Sequence, residues 1–177
     1  ELEYRRRKVA EPNWFETSAR EKQQPPPGDD WRFWLILAGR GWGKTRTIVE
    51  WAKMRAHADP GSRGAIVAST SADARDIVVD GESGFLNTST DITYHASKRR
   101  LTWSNGSQAT LYSAEEPNRL RGPQQHWAIA DELAAWPSRE LIDVLSLSMG
   151  ARRSPLFVAI TTAGTRLDAT GVDSIAY

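Results

Sequence analysis

Two short stretches of this chain carry residues whose types and spacing suit phosphate chemistry. The first is Ala38-Gly39-Arg40-Gly41-Trp42-Gly43-Lys44-Thr45, set between the apolar run Phe33-Trp34-Leu35-Ile36-Leu37 and a segment of helical spacing over residues 45–58. Strand, glycine-rich loop, Gly-Lys-Thr and helix together are the layout of a phosphate-binding loop. Glycines let successive backbone N–H groups turn inward toward phosphate oxygens, and the positive end of the next helix adds to that field. Lys44 is then the residue for the β- and γ-phosphates and the Thr45 hydroxyl a ligand for Mg²⁺. The usual pattern has glycine where this chain has Ala38; Gly39 and Gly41 supply the flexibility instead. The nucleotide-binding set on this basis runs from Gly39 through Arg40, Gly41, Trp42, Gly43, Lys44 and Thr45 to Arg46. Trp42 is a candidate cover for a nucleotide or a partner surface.

The second stretch is His126-Trp127-Ala128-Ile129-Ala130-Asp131-Glu132, an apolar strand ending in two acids. Asp131 suits a Mg²⁺ ion held through its water shell, and Glu132 suits the base that orients an attacking water. The pair alone often just caps a helix; with the loop it makes a hydrolytic site. Thr161-Thr162 ends another apolar run, 155–160. If that strand lies between the other two, its hydroxyls face the γ-phosphate and can report its presence. Charge developing on the γ-phosphoryl group needs a further cation. Arg40, Arg119 and Arg121 are the candidates, the first within the loop, the others able to reach a neighbour.

The elements that must position these residues alternate. Residues 64–68 form a buried strand after Asp59-Pro60-Gly61 stops the first helix. Ile48, Trp51 and Ala52 face inward on that helix, with Arg46, Glu50 and Lys53 outward. A helix is predicted over 72–80, capped by Ser71. Segments 92–95, 99–103 and 108–112 alternate in polarity, and Asn105-Gly106 marks a hairpin. They read as a β-meander inserted in, or added to, an α/β sheet, with Lys98-Arg99-Arg100 at a turn read first as a solvated loop and second as a phosphate contact. A last helix is predicted over 139–149 with Ser138 as its cap. Alternating strands and helices imply a mostly parallel sheet with helices on both faces.

The chain has 177 residues, enough for one domain with a real core. Lys+Arg number 23 and Asp+Glu 22, so any DNA contact must come from a local patch. There is no cysteine, which excludes disulfides and thiolate zinc sites. His57, His95 and His126 have no metal-ligand spacing. No apolar run approaches ~18 residues, so no membrane-spanning helix is expected. The run Arg5-Arg6-Arg7-Lys8 reads as a solvated face, and Gln23 to Asp30, with three prolines, as a linker. The chain starts at Glu1 with no initiator methionine or signal-like stretch and reads as a piece of a longer protein. Of eight tryptophans, Trp34, Trp51 and Trp127 are assigned to the core.

The ordered set 24–32, 34–46, Leu120-Arg121-Gly122-Pro123-Gln124, Ala130-Asp131-Glu132 and Thr161-Thr162-Ala163 resembles the ATPase domain of the large terminase subunit of tailed bacteriophages and gene-transfer agents. The likeness covers about residues 23–165, and an arginine inside the phosphate loop is typical of that family. It implies an α/β P-loop NTPase fold of the additional-strand, RecA-like type, with five central parallel strands, flanking helices and extra antiparallel strands. It implies residues 1–30 as a basic segment and adenine-side linker, and 31–177 as the ATPase core. It implies ATP and Mg²⁺ as cofactors and ATP-driven translocation of double-stranded DNA into a procapsid. Gln23 or Gln24, with Gln24 preferred, falls in the adenine-recognising segment. Lys44, Thr45, Asp131 and Glu132 keep the roles argued above, and Thr161 and Thr162 become the coupling motif. Arg121 is preferred as an arginine finger acting on a neighbour, with Arg40 next.

The implied partners are the portal protein, the small terminase subunit and further copies in a ring, usually of five, with the isolated subunit often monomeric. The implied location is the host cytoplasm, transiently on the procapsid. Nothing after Thr165 resembles the family's nuclease domain, and Asp168 with Asp173 makes no metal site, so no nuclease activity is expected. A helicase-like translocase and a non-hydrolysing nucleotide-binding module are the competing readings. Glu132 argues against the second, which has no use for a base there.

Overall fold

Residues 127–130 and 156–160 are apolar along their whole length because both of their faces are covered, whereas 33–37 form an edge strand with Phe33 and Leu37 exposed. The computed structural model describes residues 13–28, 30–152 and 154–162. Arg5 to Lys8, Asp29, Ala163, Asp168 and Asp173 lie outside the described residues. The chain begins with a short helix, α1 (Trp14–Thr17), and a 3₁₀ turn (Glu21–Gln23), then enters β1 (Phe33–Leu37) and α2 (Lys44–Ala58). Strand β2 (Arg63–Ala68) leads to α3 (Ser71–Asp73), a π-helical stretch (Ala74–Val79) and α4 (Phe85–Thr88). The meander β3 (Ile92–His95), β4 (Arg100–Trp103) and β5 (Gln108–Ser113) is followed by a 3₁₀ turn (Pro117–Leu120), β6 (Trp127–Ala130), α5 (Glu140–Met149) and β7 (Leu156–Thr161).

All seven strands form one sheet in the order β1-β7-β6-β2-β5-β4-β3. From β1 to β5 every pairing is parallel; β4 and β3 extend the edge antiparallel. The meander is therefore added at one edge, and β5 belongs to both parts. The Asn105-Gly106 turn forms as expected, with Gly106 at φ 87°. The register aligns Leu37 with Thr161 and Ala130 with Ala159, so the tips of β1, β7 and β6 meet at one end of the sheet.

Each face has its own core. On one, α2 lays Ile48, Val49, Trp51 and Ala52 over Ile66, Trp127, Val158 and Ile160; on the other, α5 lays Leu141, Val144 and Leu145 over Ala65, Val67, Ala128 and Ala159. Trp127 meets Trp51 and Trp103 edge to face at centroid distances of 6.4 and 6.2 Å, a geometry that adds about 1 kcal/mol per pair beyond area. A Cβ on Gly64 would sit 2.3 Å from the Trp127 ring, so only glycine lets β2 approach it. Trp103 and Trp136 are buried too, whereas Trp34 is half-buried.

Several local expectations are corrected. Glu50 and Lys53 do not point to solvent; each is 6% exposed. Lys53 Nζ lies 3.1 Å from Glu50 and also donates to the Thr88 carbonyl, while Arg46 reaches Glu50 at 2.8 Å. Mutual neutralisation is what lets these charges leave water. The helix expected over 72–80 is one α-turn capped by Thr70, not Ser71, followed by the π-helix closed by Asp80 N–H on Arg75 O. Helix α5 starts one residue later than expected, with Ser138 Oγ accepting from Glu140 N–H at 3.4 Å.

Candidate active site

The loop after β1 leaves the sheet at Ala38, whose N–H bonds the Thr161 carbonyl at 3.2 Å. Gly41 at φ 74° and Gly43 at φ 87° make the turns that a side chain would strain. Helix α2 then starts at Lys44, so its unpaired N–H groups and the positive end of its dipole open toward the loop. Thr45 occupies the first turn of that helix. Gly39, Arg40 and Gly41 are exposed, Trp42 and Thr45 half-exposed.

Lys44 is buried, and its Nζ donates to the carbonyls of Ala38 at 2.9 Å and Gly39 at 3.4 Å. It also stands 3.6 Å from Glu132 Oε1. The lysine thus folds back over its own loop and meets the acid from β6. Strand β7 lies between the two, so the condition set for Thr161 and Thr162 holds. Thr162 gives both its N–H and its Oγ1 hydroxyl to Glu132 Oε2, each at 3.2 Å. Thr161 Oγ1 accepts from Ala134 N–H at 3.1 Å. The tip of β7 therefore touches the loop through one residue's carbonyl and the acidic turn through side chains of two.

Asp131 and Glu132 are adjacent but point into different surroundings. Glu132 has φ 46°, left-handed for a residue with a Cβ, a conformation that costs about 1 kcal/mol and marks a site where geometry matters. The sharp turn leaves Asp131 buried at 5% while the Glu132 side chain is 42% exposed. Burial, and then the neighbouring Glu132 charge, push the Asp131 carboxyl up to about 6. A buried carboxylate with that deficit favours a cation. Among the described residues no cluster of three or more His, Cys, Asp or Glu could hold a metal. The donors present, one carboxylate and the Thr45 hydroxyl, instead fit Mg²⁺, which keeps waters and takes phosphate oxygens as further ligands.

A strap from the N-terminal side closes against the loop. Gln23, 4% exposed, donates its amide to Trp42 O at 3.3 Å and Thr47 Oγ1 at 3.1 Å. Arg20 also donates to Trp42 O, and its guanidinium lies 5.4 Å from the Trp42 ring centre. Arg46 pairs with Glu50 and sits 5.8 Å over Trp14. Gln24, the preferred residue of the adenine-recognising segment, faces α1. Its amide donates to Phe15 O at 2.6 Å, which holds the strap to α1, and it is Gln23 that reaches the loop. Sequence reasoning missed Arg20 altogether. Its only signal is its place three residues before Gln23, too slight to single out.

The candidate cations fall apart. Arg40 is in the loop and exposed. Arg121 is engaged by Glu140 at 3.0 Å and Asn118 at 2.8 Å, and Arg119 by Glu116 at 2.8 Å. Arg99 of the meander turn reaches Ser71 at 3.1 Å and Glu116 at 3.5 Å, a structural role.

Over residues 35–166 the chain matches a family described as terminase large subunit, T4likevirus-type, N-terminal. Among solved structures it is similar to the large terminase ATPase domain of Thermus phage P74-26, with 23% identity and TM-score 0.60 over 76% of this chain and 61% of that one. It is similar to the large terminase of a thermophilic bacteriophage in complex with ADP, with 12% identity and TM-score 0.64 over 84% of this chain and 36% of that one. The HK97 bacteriophage large terminase matches with 22% identity and TM-score 0.58 over 77% of this chain and 30% of that one. The chain thus spans less than two thirds of the length of each. No curated protein sequence matches it. The shared fold is RecA-like, a P-loop fold in which β7 is the additional strand between the loop strand and the acidic strand.

Proposed function

The chain belongs to the terminase large-subunit family of the T4-like-virus type, within its N-terminal part, and on that footing we propose that it is the ATP-hydrolysing portion of a motor that drives double-stranded DNA into a viral procapsid. The observation that carries this reading is the meeting of Lys44 and Glu132 at 3.6 Å across the tip of β7. A lysine for phosphate and a carboxylate for water are held at one point by a third strand.

In this scheme the loop N–H groups from Gly39 to Thr45 and the α2 terminus bind the triphosphate, and Lys44 moves from Glu132 and its loop carbonyls onto the phosphate oxygens. Thr45, and Asp131 through the water shell, would hold Mg²⁺, which would supply positive charge to offset that of the phosphates. Glu132, released from Lys44, orients the attacking water and takes its proton. Thr162 gives Glu132 a fixed position and feels its change of partner, which couples hydrolysis to β7 and, through Thr161, to the turn at Ala134. Arg121 is the arginine finger for a neighbouring subunit. Its exposed place, and its bonds to Glu140 and Asn118 at home, support a role outward rather than toward its own loop. Arg40, exposed and inside the loop, is the alternative within one chain. The assembly is a ring, of five by family habit, on the portal protein. The small terminase subunit delivers DNA, and the motor works in the host cytoplasm while attached to the procapsid.

The test is phosphate release per chain from Mg·ATP as protein concentration rises, with Lys44→Ala as blank. A rate per chain that climbs with concentration supports completion of the site by a neighbour. Arg121→Ala chains mixed with Glu132→Gln chains should then recover part of the activity. A flat nonzero rate moves the finger to Arg40, and no rate above the blank overturns the hydrolytic reading.

A further inference from the structure

The strap at the loop has a consequence for how the site chooses its nucleotide. We propose that Gln23 is a brace of the phosphate loop rather than a reader of the base, with Arg20 as the positioning residue that sets it.

A glutamine amide offers two acceptor positions on its oxygen and two N–H donors. In Gln23 all four are in use. Oε1 accepts from Arg20 N–H at 3.1 Å and Arg20 Nε at 3.0 Å. Nε2 donates to Trp42 O at 3.3 Å and Thr47 Oγ1 at 3.1 Å. The Thr47 hydroxyl passes the bond on to Gly43 O at 2.9 Å. At 4% exposure the amide has no face left for a purine edge. Its contacts toward the loop all end on the loop's last turn and the first turn of α2, where phosphate is bound.

Two further observations agree. A Cβ on Gly43 would come within 2.9 Å of Gln23 Nε2, so glycine there admits the amide as well as the positive φ. Arg20 spans both halves of the contact, bonding Gln23 Oε1 and Trp42 O while it stacks on Trp42. Gln24 is turned to Phe15 O and fixes the strap instead of facing the loop. Breaking the brace therefore costs phosphate affinity, which every nucleoside triphosphate shares, and leaves the choice of base to other groups.

The inference rests on the loop being a phosphate site. The experiment measures Mg-dependent binding of ATP, GTP and inorganic tripolyphosphate to wild type, Gln23→Ala and Arg20→Ala. The tripolyphosphate arm decides, since it has no base to read. Gln23→Ala is expected to weaken all three by a common factor of roughly ten, the loss of one hydrogen bond to the loop and one to the first turn of α2. Arg20→Ala, at an exposed position that spares the fold, is expected to weaken all three by roughly threefold to tenfold. Loss of ATP affinity alone, with tripolyphosphate unchanged in both variants, overturns the brace and restores Gln23 as a base reader. Wild type that binds none of the three overturns the phosphate site and the brace with it, an outcome distinct from selective loss.

Discussion

The two walls of the site are built by opposite means. The loop wall is backbone: glycines at positive φ, carbonyls and N–H groups, with exposed residues at its crest. It is held from outside, by Gln23 and Arg20 of the strap. The acidic wall is side chain: a buried Asp131 and a half-exposed Glu132 on a turn that a Cβ residue adopts at a cost. It is held from beneath, by β6 and by the threonines of β7. The difference teaches where each wall is vulnerable. The loop tolerates changes at its crest and fails when its bracing or turns fail, whereas the acidic wall fails atom by atom. Lys44 belongs to both, since it sits on the loop's own carbonyls and against Glu132.

Lys44→Ala breaks the comparison most completely, because it removes the one group the walls share. Nucleotide affinity should fall by about two orders of magnitude or more, as expected for a lost charged contact to phosphate, and calorimetry of Mg·ATP binding measures it. Glu132→Gln separates the walls. Turnover should drop by roughly 10²- to 10⁴-fold, the range for a lost general base, while ATP binding survives or tightens, because Lys44 no longer has an anionic partner to leave. Equal loss of binding and turnover would merge the two walls again.

Asp131 sharpens the contrast through pH. Its carboxyl is held at about 6 against an ordinary 3.8, so the folded protein favours the protonated form. Stability without nucleotide is therefore highest below about pH 4 on this account and is lost as pH rises from about 4 to 6, by on the order of 2–3 kcal/mol. Asp131→Asn removes that cost. Its melting temperature should exceed wild type at about pH 7 and converge with it near pH 4, while Mg-dependent turnover falls. A gap that does not close at low pH would mean that packing, not charge, sets the difference. The smallest effect belongs to Thr162→Val, which deletes the hydroxyl bond to Glu132 and keeps the N–H bond. Steady-state kinetics should show about a fivefold loss of turnover, near 1 kcal/mol, with ATP affinity unchanged.

The loop wall was legible in the chain because its requirements are local. Glycine where φ is positive and lysine at a helix start are written in residue types at fixed spacing. Asp131-Glu132 was legible as a strand ending in acid, but its union with Lys44 depends on β7 lying between β1 and β6, a non-local fact that no spacing encodes. The left-handed turn at Glu132 had no glycine or asparagine to announce it. Which of Gln23 and Gln24 faces the loop was not legible for a similar reason, since the two are alike in type and only the packing of the 3₁₀ turn decides it. The outward assignment of Glu50 and Lys53 failed because charge marks solvent only until a partner of opposite sign is found, and theirs lie one turn apart on the same helix.

Three of the eight tryptophans are packed together on one face of the sheet, while Trp42 stands on the loop. Trp51, Trp103 and Trp127 sit at 0 to 3% exposure. They lie within centroid distances of 6.4 Å along the chain of contacts, close enough to pass excitation among themselves. Their emission is that of a dry interior and reports on whether the sheet is intact. Trp42 lies on the loop with the Arg20 guanidinium 5.4 Å from its ring centre, a charge whose position follows the strap. Trp14, Trp31 and Trp34 are half-buried like Trp42, so the loop's own emission is the difference between wild type and a Trp42→Phe chain, and that difference follows the loop.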